Sequence, residues 1–410
     1  MRITIAAATA VSGLLLAGIA GPGQAQEQPF KVRIGVLTDL SGPFADFAGK
    51  GSVIATQMAV EDCLKAECKG MQIDVIAADH QNKADVALGI ARKWVDTENV
   101  DAIGDVVNAA VQLAVQSLAR EKKTFAVLFP GGTARLTNED CSPETSVQWM
   151  WDTYSQVAGA MKPLAKPGTR WFFLASDYAF GHSLQKDGAE IINAQGATMV
   201  GAVRHPFQTS DFSSFLLQAR ASNANYLAFA NAGADATASI RQASEFGLQA
   251  SGKKPVALFL TLQDVKALGL AAAAGTQLTE SFYWNFDDGT RRWSERFAEA
   301  AGGGKMPSIS HAGAYSATRH YLKAVAASKS KQPKTVTARM REIPVQDDIV
   351  RNATLRADGR LVHDTLLLQV KTPQQSKSEW DVYNVLEVIP GDQAFRPLSQ
   401  SACPAIRKAG

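Results

Sequence analysis

Glycines and small polar residues recur in three stretches of the first third of the chain. These stretches are LSGPFADF (40–47), GDVVN (104–108) and FPGGT (129–133). Glycine lets the backbone approach a ligand closely, and backbone N–H groups in such loops can bind a carboxylate. Phe44 and Phe47 would then enclose the apolar part of the same ligand. The pattern favours a site for a small organic carboxylate, with a plain turn at Gly131 and Gly132 and a core role for Phe47 as the alternatives.

Acid–base catalysis is the other chemistry that individual residues suggest. Asp39 and Asp79 end predicted strands, where a carboxyl group can act as acid or base but also forms turns and caps helices. Asp105 is a third candidate. The chain lacks the motifs of serine hydrolases, zinc proteases, β-lactamases and P-loop nucleotidases, and its six histidines form no pair at metal-ligand spacing. We therefore expect no catalytic residue, metal or cofactor.

Alternating strands and helices must position these loops. The predicted strands lie near 31–40, 71–80, 100–107 and 124–130, and the helices between them near 49–66, 87–99 and 109–122. Helical crossovers of this length join parallel strands, so the pattern predicts a mostly parallel sheet covered on both faces. A second series of the same kind begins near Trp151, which predicts a second α/β lobe.

The second series is less regular towards its end. Predicted strands lie at 170–177, 197–207, 225–231 and 254–261, alternating with helices at 154–165, 182–194, 211–221 and 235–247. The apolar run SFYWNF (281–286) predicts a further strand, and helices are expected at 291–301 and 311–327 before a final region of strands and turns. Because no flexible linker separates the lobes, we expect short strands to cross between them at a hinge.

Composition and charge limit the possible partners. Of 410 residues, 46% are hydrophobic and 20% charged, as in a soluble globular protein long enough for two domains. Forty-two Lys and Arg against 39 Asp and Glu give a net charge of +3, without a basic run. A nucleic-acid partner is therefore not expected.

The N-terminus has the pattern of an export signal. One positive charge at Arg2 precedes the apolar stretch 3–20, and small residues surround a cleavage site after Ala25. The pattern predicts a signal peptide over residues 1–25. A membrane anchor is the alternative, but it usually lacks the helix-breaking Gly-Pro-Gly that follows the apolar stretch here.

The four cysteines suggest disulfide bonds, because their number is even and the chain is predicted to be exported. Three pairings are possible. Cys63 and Cys68 are close enough to form a small loop, which leaves Cys141 and Cys403 to connect distant parts. Four free or buried thiols are the alternative, and a zinc site fits less well because no second close pair of ligands is present.

Three longer motifs, taken in order, resemble one family. They are IGVLTDLSGPFADFAGKG, PGGTARLT, and the second-lobe stretch that runs from SDYAFGHSLQKDG to IRQASEFGL. The chain resembles the periplasmic solute-binding proteins of ABC importers, in the leucine/isoleucine/valine-binding (type I) group. The resemblance implies two α/β lobes joined by three crossing strands, with lobes at 26–148 plus 286–345 and at 149–285 plus 346–410. It also implies a periplasmic monomer that closes on a ligand and delivers it to an inner-membrane permease.

The resemblance assigns ligand contacts in the first lobe. Asn108 stands where relatives that bind amino acids often have a serine for the ligand carboxylate. Gly132 and Thr133 fall where a backbone group and a hydroxyl hold the charged ends of the ligand, and the loop with Ser41 and Phe47 joins this site.

The second lobe supplies the remaining contacts. Asp235 aligns with the acidic residue that receives the ligand ammonium, with helix capping as its alternative role. Tyr178 or Phe180 lies in the loop that supplies an aromatic lid. Trp151 and Trp284, near the hinge, suggest a wide, flat-sided pocket, unless they serve packing alone.

These residues predict capture of a small organic carboxylate, either an amino acid or an aromatic acid, for import by an ABC permease. A receptor that presents its ligand to a membrane sensor would use the same cleft and is the first alternative. An exported α/β enzyme that uses Asp39, Asp79 or Asp105 is the second.

Overall fold

Two sheets built mainly of parallel strands organise the protein in the computed structural model, which describes residues 29–407. The strands of this part of the chain are β1 (Lys31–Thr38), β2 (Gln72–Asp79), β3 (Ala102–Asp105), β4 (Ala126–Phe129), β5 (Ser146–Gln148), β6 (Arg170–Ser176), β7 (Thr198–His205), β8 (Tyr226–Ala230), β9 (Lys254–Ala257), β10 (Gln277–Glu280), β11 (Thr354–Leu355), β12 (Leu361–Val362), β13 (Thr365–Val370) and β14 (Tyr383–Ile389). The predicted signal peptide at 1–25 lies outside the described residues.

Helices cover both faces of each sheet. They are α1 (Gly49–Lys65), α2 (Ala84–Thr97), α3 (Ala109–Lys122), α4 (Thr153–Met161), α5 (Ala179–Ala194), α6 (Ser213–Ala221), α7 (Gly233–Glu245), α8 (Leu262–Leu268), α9 (Leu270–Ala273), α10 (Asp288–Ala301), α11 (Ile309–Ser328), α12 (Pro333–Glu342), α13 (Gly391–Ala394) and α14 (Pro404–Arg407). Within the described residues, no helix is both long enough and apolar enough to span a membrane.

The first lobe is a five-stranded parallel sheet in the order β2-β1-β3-β4-β5. The middle of its central strands is apolar, as expected for the covered strands of a parallel sheet: Ile34, Val36 and Ile103 are inaccessible to solvent. Helices α10 and α11 pack on α1, so the chain returns to this lobe before β13 and β14 complete the second sheet.

The second lobe has seven strands in the order β14-β13-β10-β9-β8-β6-β7. Strands β6 to β10 are parallel, whereas β13 pairs antiparallel with β10 and with the edge strand β14. The predicted fold class, two α/β lobes with doubly covered parallel sheets, is confirmed.

Three segments connect the lobes, at residues 149–152, 281–287 and 343–364. The first begins where Gln148 bridges Arg360 of the third, so two crossings are hydrogen-bonded side by side. The buried Arg360 guanidinium donates to the carbonyl oxygens of Trp149 and Trp151, at 3.0 and 2.8 Å. The hinge is therefore braced by a buried cation that satisfies the carbonyl groups of the first crossing.

One predicted strand is wrong. Residues 281–286 form a loop, and the strand at this place is β10, which ends at Glu280. Phe282 packs edge-on against Trp293 of the first lobe, and Tyr283 packs against Tyr383 of the second. The apolar run thus packs between the lobes without belonging to a sheet, with residues 281–283 buried and 284–286 half-buried.

Both disulfide bonds of the favoured pairing are present. Cys63 pairs with Cys68 at the end of α1, and Cys141 of the first lobe pairs with Cys403 near the end of the chain. Between β14 and Cys403 the tail packs on the second lobe, where Arg396 contacts Asp187 of α5 at 2.8 Å. The tail therefore forms a fourth, covalent connection between the lobes.

Candidate functional site

Loops at the carboxyl ends of the strands of both sheets meet in a cleft between the lobes. The loop after β1 carries Phe44 and Phe47, which contact Phe207 after β7 and Phe259 after β9, each at a ring-centroid distance of 5.9 Å. Ligands of open parallel sheets bind at this end of the strands. The cleft is therefore the candidate site, and its two walls are in contact.

Seven aromatic rings form a continuous apolar surface in this cleft. Their members are Phe44, Phe47, Trp151, Tyr178, Phe180, Phe207 and Phe259, which we call the aromatic cluster. Trp151 lies closest to a neighbour, 4.4 Å from Phe259. Its indole N–H is buried without a hydrogen-bond partner and packs on Gly131. The aromatic cluster thus contains large apolar ring faces and one N–H group, that of Trp151, without a hydrogen-bond acceptor.

Asp235 lies in the first turn of α7, and its side chain points away from its own helix. Oδ2 accepts a hydrogen bond from the backbone N–H of Gln208 at 3.1 Å, whereas Oδ1 is buried and has no partner. Burial raises the pKa of Asp235 to about 6, although the N–H groups of Gln208 and Thr209 favour the ionised form. The first turn of α7 receives no side-chain cap, so the structure gives Asp235 no capping role.

Tyr178 lies near enough to this carboxylate for the two groups to interact electrostatically. Burial and the charge of Asp235 raise the pKa of the Tyr178 phenol well above its ordinary value, so the phenol stays protonated. The Tyr178 ring also contacts Phe207 at 4.9 Å, which joins Asp235 to the aromatic cluster. A buried carboxylate with a free oxygen next to a wall of aromatic rings is suited to a cationic group on an apolar ligand.

Asn108 caps the helix that follows it. Its Oδ1 accepts hydrogen bonds from the backbone N–H groups of Ala110 and Val111 at the start of α3. Its Nδ2 donates to Asn82 Oδ1 over a long 3.4 Å, and Asn82 in turn donates to Asp39 at 2.7 Å. The cap fixes the Asn108 amide so that only its N–H₂ group remains for a ligand.

The Asp39 carboxylate stabilises the loop that follows it. Its carboxylate accepts from the backbone N–H groups of Gly42 and Phe44, at 2.7 and 2.9 Å. Asp79 accepts from Ser41 Oγ at 2.7 Å on the exposed rim, which places Ser41 away from the buried rings. These two carboxylates shape the loop that carries Phe44 and Phe47.

Asp105 and Val106 form a strained corner before Asn108. Their φ angles are 71° and 54°, a left-handed conformation that costs most for a β-branched residue such as valine. Burial raises the pKa of Asp105 to about 7, with a smaller contribution from Asp39. The corner turns the chain so that Asn108 can start α3 at the cleft.

Gly132 and Thr133 lie where the first lobe meets α5. Gly132 has a φ of 148°, and the Gln112 side chain fills the position that a Cβ would take. Thr133 Oγ1 lies 2.8 Å from Ser183 Oγ across the cleft, and both residues are buried. In this closed arrangement the Thr133 hydroxyl is paired with the opposite lobe.

Another glycine permits the lobes to approach. Gly233 begins α7 with a φ of 57°, and a Cβ there would lie 2.9 Å from the Pro43 carbonyl oxygen of the first lobe. A side chain at this position would collide with the opposite wall of the cleft.

The structure therefore brings together Phe47, Trp151, Tyr178, Phe180 and Asp235. Trp284 lies elsewhere: its indole N–H donates to the Trp380 carbonyl at 2.8 Å. The sequence reasoning missed Phe207 and Phe259, which follow the ends of β7 and β9. Applying the strand-end rule to the second lobe, as to the first, would have found both.

No group of three or more His, Cys, Asp or Glu side chains within residues 29–407 is arranged to hold a metal ion.

Comparisons with known proteins agree with this geometry. The sequence model of a family described as "Periplasmic binding protein" matches residues 31–377. A periplasmic binding protein from Burkholderia mallei is 41% identical, with a TM-score of 0.86 over 92% of this chain and 99% of that one. A branched-chain amino acid ABC transporter periplasmic ligand-binding protein from Burkholderia xenovorans is also 41% identical, with a TM-score of 0.81 over 92% and 100%.

A more distant structure shares the fold alone. It is an ABC transporter solute-binding protein from R. palustris in complex with 4-hydroxybenzoate, 19% identical, with a TM-score of 0.81 over 90% of this chain and 100% of that one. The comparison with curated proteins found no match.

Proposed function

Because this chain belongs to the periplasmic binding protein family, as its motif order predicts, we propose that it captures an amino acid with an apolar side chain and delivers it to an ABC permease. The observation that carries this proposal is the free, buried Oδ1 of Asp235 beside the aromatic cluster. An ionised carboxylate in that position needs a cation, and the α-ammonium group of an amino acid supplies one.

The other parts of the ligand follow from the same geometry. The aromatic cluster receives the apolar side chain, and the Nδ2 group of Asn108 with the backbone near Gly132 receives the carboxylate. Both lobes then contact one molecule, so binding stabilises the closed arrangement that a permease recognises. Thr133 acts by holding the lobes together rather than by holding the ligand, because its hydroxyl already pairs with Ser183.

An aromatic acid without an ammonium group is the second candidate, and the seven clustered rings favour it. Such a ligand has no ammonium group to pair with Asp235. Its binding is therefore weakened while the Asp235 carboxylate is ionised. The two candidates therefore differ in how they respond to the charge of one residue.

The oligomeric state, compartment, transport partner and lobe boundaries of the protein are also proposed. We propose a monomer that works in the periplasm after removal of residues 1–25, with an inner-membrane ABC permease as its partner. We also propose that one lobe comprises residues 26–148 plus 286–345 and the other residues 149–285 plus 346–410.

The test compares amino acids with their deaminated analogues. Protein stripped of ligand by unfolding and refolding is titrated calorimetrically with leucine and phenylalanine and with 4-methylpentanoate and 3-phenylpropanoate. We expect the cleft to bind only an amino acid, and Asp235→Asn to weaken this binding by a factor of at least about 100, the loss typical when one partner of a buried charge pair is removed.

Asp211→Asn is the matched control, because Asp211 is exposed and belongs to the same lobe. Binding of a deaminated analogue that becomes stronger in Asp235→Asn would favour the aromatic-acid candidate in the cleft. Turnover of a bound compound would favour an enzyme.

A further inference from the structure

A second cavity lies between the lobes at the side of the aromatic cluster. Its volume is about 670 Å³, within the range of sites for small organic ligands. We call it the lateral cavity; its lining includes Lys50, Ile54, Lys266, Phe297, Lys305 and Trp380. Helices α1 and α10 form its first-lobe wall, and α8 with Trp380 forms its second-lobe wall.

The lateral cavity is a product of the closed arrangement. Gln263 of α8 donates through Nε2 to the Met306 carbonyl oxygen of the first lobe at 2.9 Å, and both residues line the cavity. Residues of both lobes therefore line the lateral cavity.

Positive charge exceeds negative charge around the lateral cavity. Three lysines and one carboxylate, Asp46, belong to its lining. Lys305 Nζ is 4.0 Å from Asp46, and Lys266 Nζ is 3.2 Å from the exposed Glu379. Within the described part of the chain, no ion pair involves Lys50. The site therefore favours an anion over a cation or zwitterion.

The walls beneath these lysines are apolar and partly aromatic. Ile54 and Phe297 belong to the first lobe, and the Trp380 ring to the second, with Lys266 Nζ 5.2 Å from the ring centroid. Flat apolar surfaces with ammonium groups near them match a planar aromatic ring that carries a carboxylate.

We propose that the lateral cavity binds a planar aromatic carboxylate, with its ring against Trp380 and its carboxylate near Lys50 and Lys305. This site is distinct from the cleft at Asp235, which selects a cation, and the inference does not depend on the identity of the cleft ligand. Because the occupant touches both lobes, it stabilises the closed arrangement. By linkage, it raises the affinity of the cleft for its own ligand, and the cleft ligand raises the affinity of the lateral cavity by the same factor.

The experiment uses 2-naphthoate as the anionic probe and 2-naphthamide as its neutral analogue. Calorimetric titration of the full mature protein is compared with that of Lys50→Met/Lys305→Met, which removes two charges and keeps most of each apolar stem. We expect 2-naphthoate to bind, 2-naphthamide to bind more weakly, and the double variant to lose affinity for 2-naphthoate roughly five- to tenfold, the loss of two solvent-exposed charge contacts.

Lys65→Met/Lys69→Met is the matched control, with the same change in net charge at exposed lysines outside the lateral cavity. Asp235→Asn separates the two sites: 2-naphthoate binding stays unchanged if it occurs in the lateral cavity. The proposal is overturned if 2-naphthoate does not bind, if both double variants weaken it equally, or if Asp235→Asn strengthens it while the Lys50/Lys305 variant has no effect. That last result would place the aromatic acid in the cleft.

Discussion

Thr133 of the first lobe and Ser183 of the second place their hydroxyl oxygens 2.8 Å apart across the cleft. Both residues are buried, so the bond forms away from water only when the lobes are closed. It adds a polar contact to walls that also meet through aromatic rings, Phe44 with Phe207 and Phe47 with Phe259.

Removing this bond should weaken ligand binding without changing ligand choice. Ser183→Ala removes one hydrogen bond from the closed state, worth about 0.5 to 1.5 kcal/mol, so the dissociation constant should rise roughly two- to tenfold. Thr133→Val should have a similar effect, and the double variant should be no worse than either single variant. Calorimetry on the four proteins gives this comparison. A much larger loss for Thr133→Val than for Ser183→Ala would assign Thr133 to the ligand instead.

Gly233→Ala should hinder closure. The substitution introduces a Cβ 2.9 Å from the Pro43 carbonyl oxygen and forces alanine into a left-handed conformation. Gly247→Ala is the matched control, because Gly247 has a φ of 65° and open space around it. Both variants should lose about 1 kcal/mol of folding stability from backbone strain. Only Gly233→Ala should weaken ligand binding, by about tenfold or more, and fail to become compact on ligand addition in X-ray scattering.

The charge of Asp235 should make ligand affinity depend on pH. Its pKa of about 6 in the ligand-free protein should fall when an ammonium group binds beside it. Affinity for an amino acid should therefore be constant above pH 7 and fall below pH 6, by up to about tenfold per pH unit. Calorimetry from pH 5 to pH 8 measures this, and Asp235→Asn should have a flat profile. An aromatic acid would show the opposite slope.

The ionised Asp235 should lower the free energy of unfolding of the ligand-free protein. Because burial raises the pKa of Asp235 above its unfolded value, the ionised form is less stable in the folded state, and stability falls as the pH rises from about 4 to 6. Ligand-free Asp235→Asn should be more stable at pH 7 by about 1 to 3 kcal/mol, and the difference should disappear below pH 4. Urea unfolding at both pH values checks the sign. Equal stability at pH 7 would indicate that solvent reaches the carboxylate.

The two disulfides should differ in their contribution to stability. In the chain-entropy model, the Cys141–Cys403 bridge, with a separation of 262 residues, contributes up to about 5 kcal/mol, against about 2 kcal/mol for Cys63–Cys68, which is five residues apart. Cys141→Ser/Cys403→Ser should therefore unfold at lower urea concentration than Cys63→Ser/Cys68→Ser. The reverse order would show that local strain or denatured-state structure outweighs chain entropy.

The sequence predicts the fold better than the site because repeating patterns determine the fold. Hydrophobic periodicity locates most strands and helices, and it places Phe47 in the loop after a predicted strand and Asp235 at the start of a predicted helix. It fails at 281–286, because burial between two lobes produces the same apolar run as burial in a sheet. It also misses β5, which has three residues, and the helix α12, which follows a polar stretch and starts at Pro333.

The residues of the site depend on contacts between distant parts of the chain. Trp284 is predicted as a pocket residue because it is a tryptophan near the hinge. In the structure, its indole N–H donates to the carbonyl oxygen of Trp380, 96 positions later. Thr133 fits a ligand contact by its place in the loop, but its partner Ser183 lies on a helix of the other lobe. No local pattern encodes such pairings, so only the folded structure distinguishes a ligand contact from a contact between lobes.

The Cys141–Cys403 bridge also determines how the protein carries mechanical load. If force pulls on residues 29 and 407, tension passes from Cys141 directly to Cys403, and the chain between them is not stretched. That shielded chain includes the second lobe and the hinge crossings. Its 262 positions would extend by roughly 900 Å once the bridge is reduced, a hidden length that the oxidised protein keeps out of the path of force.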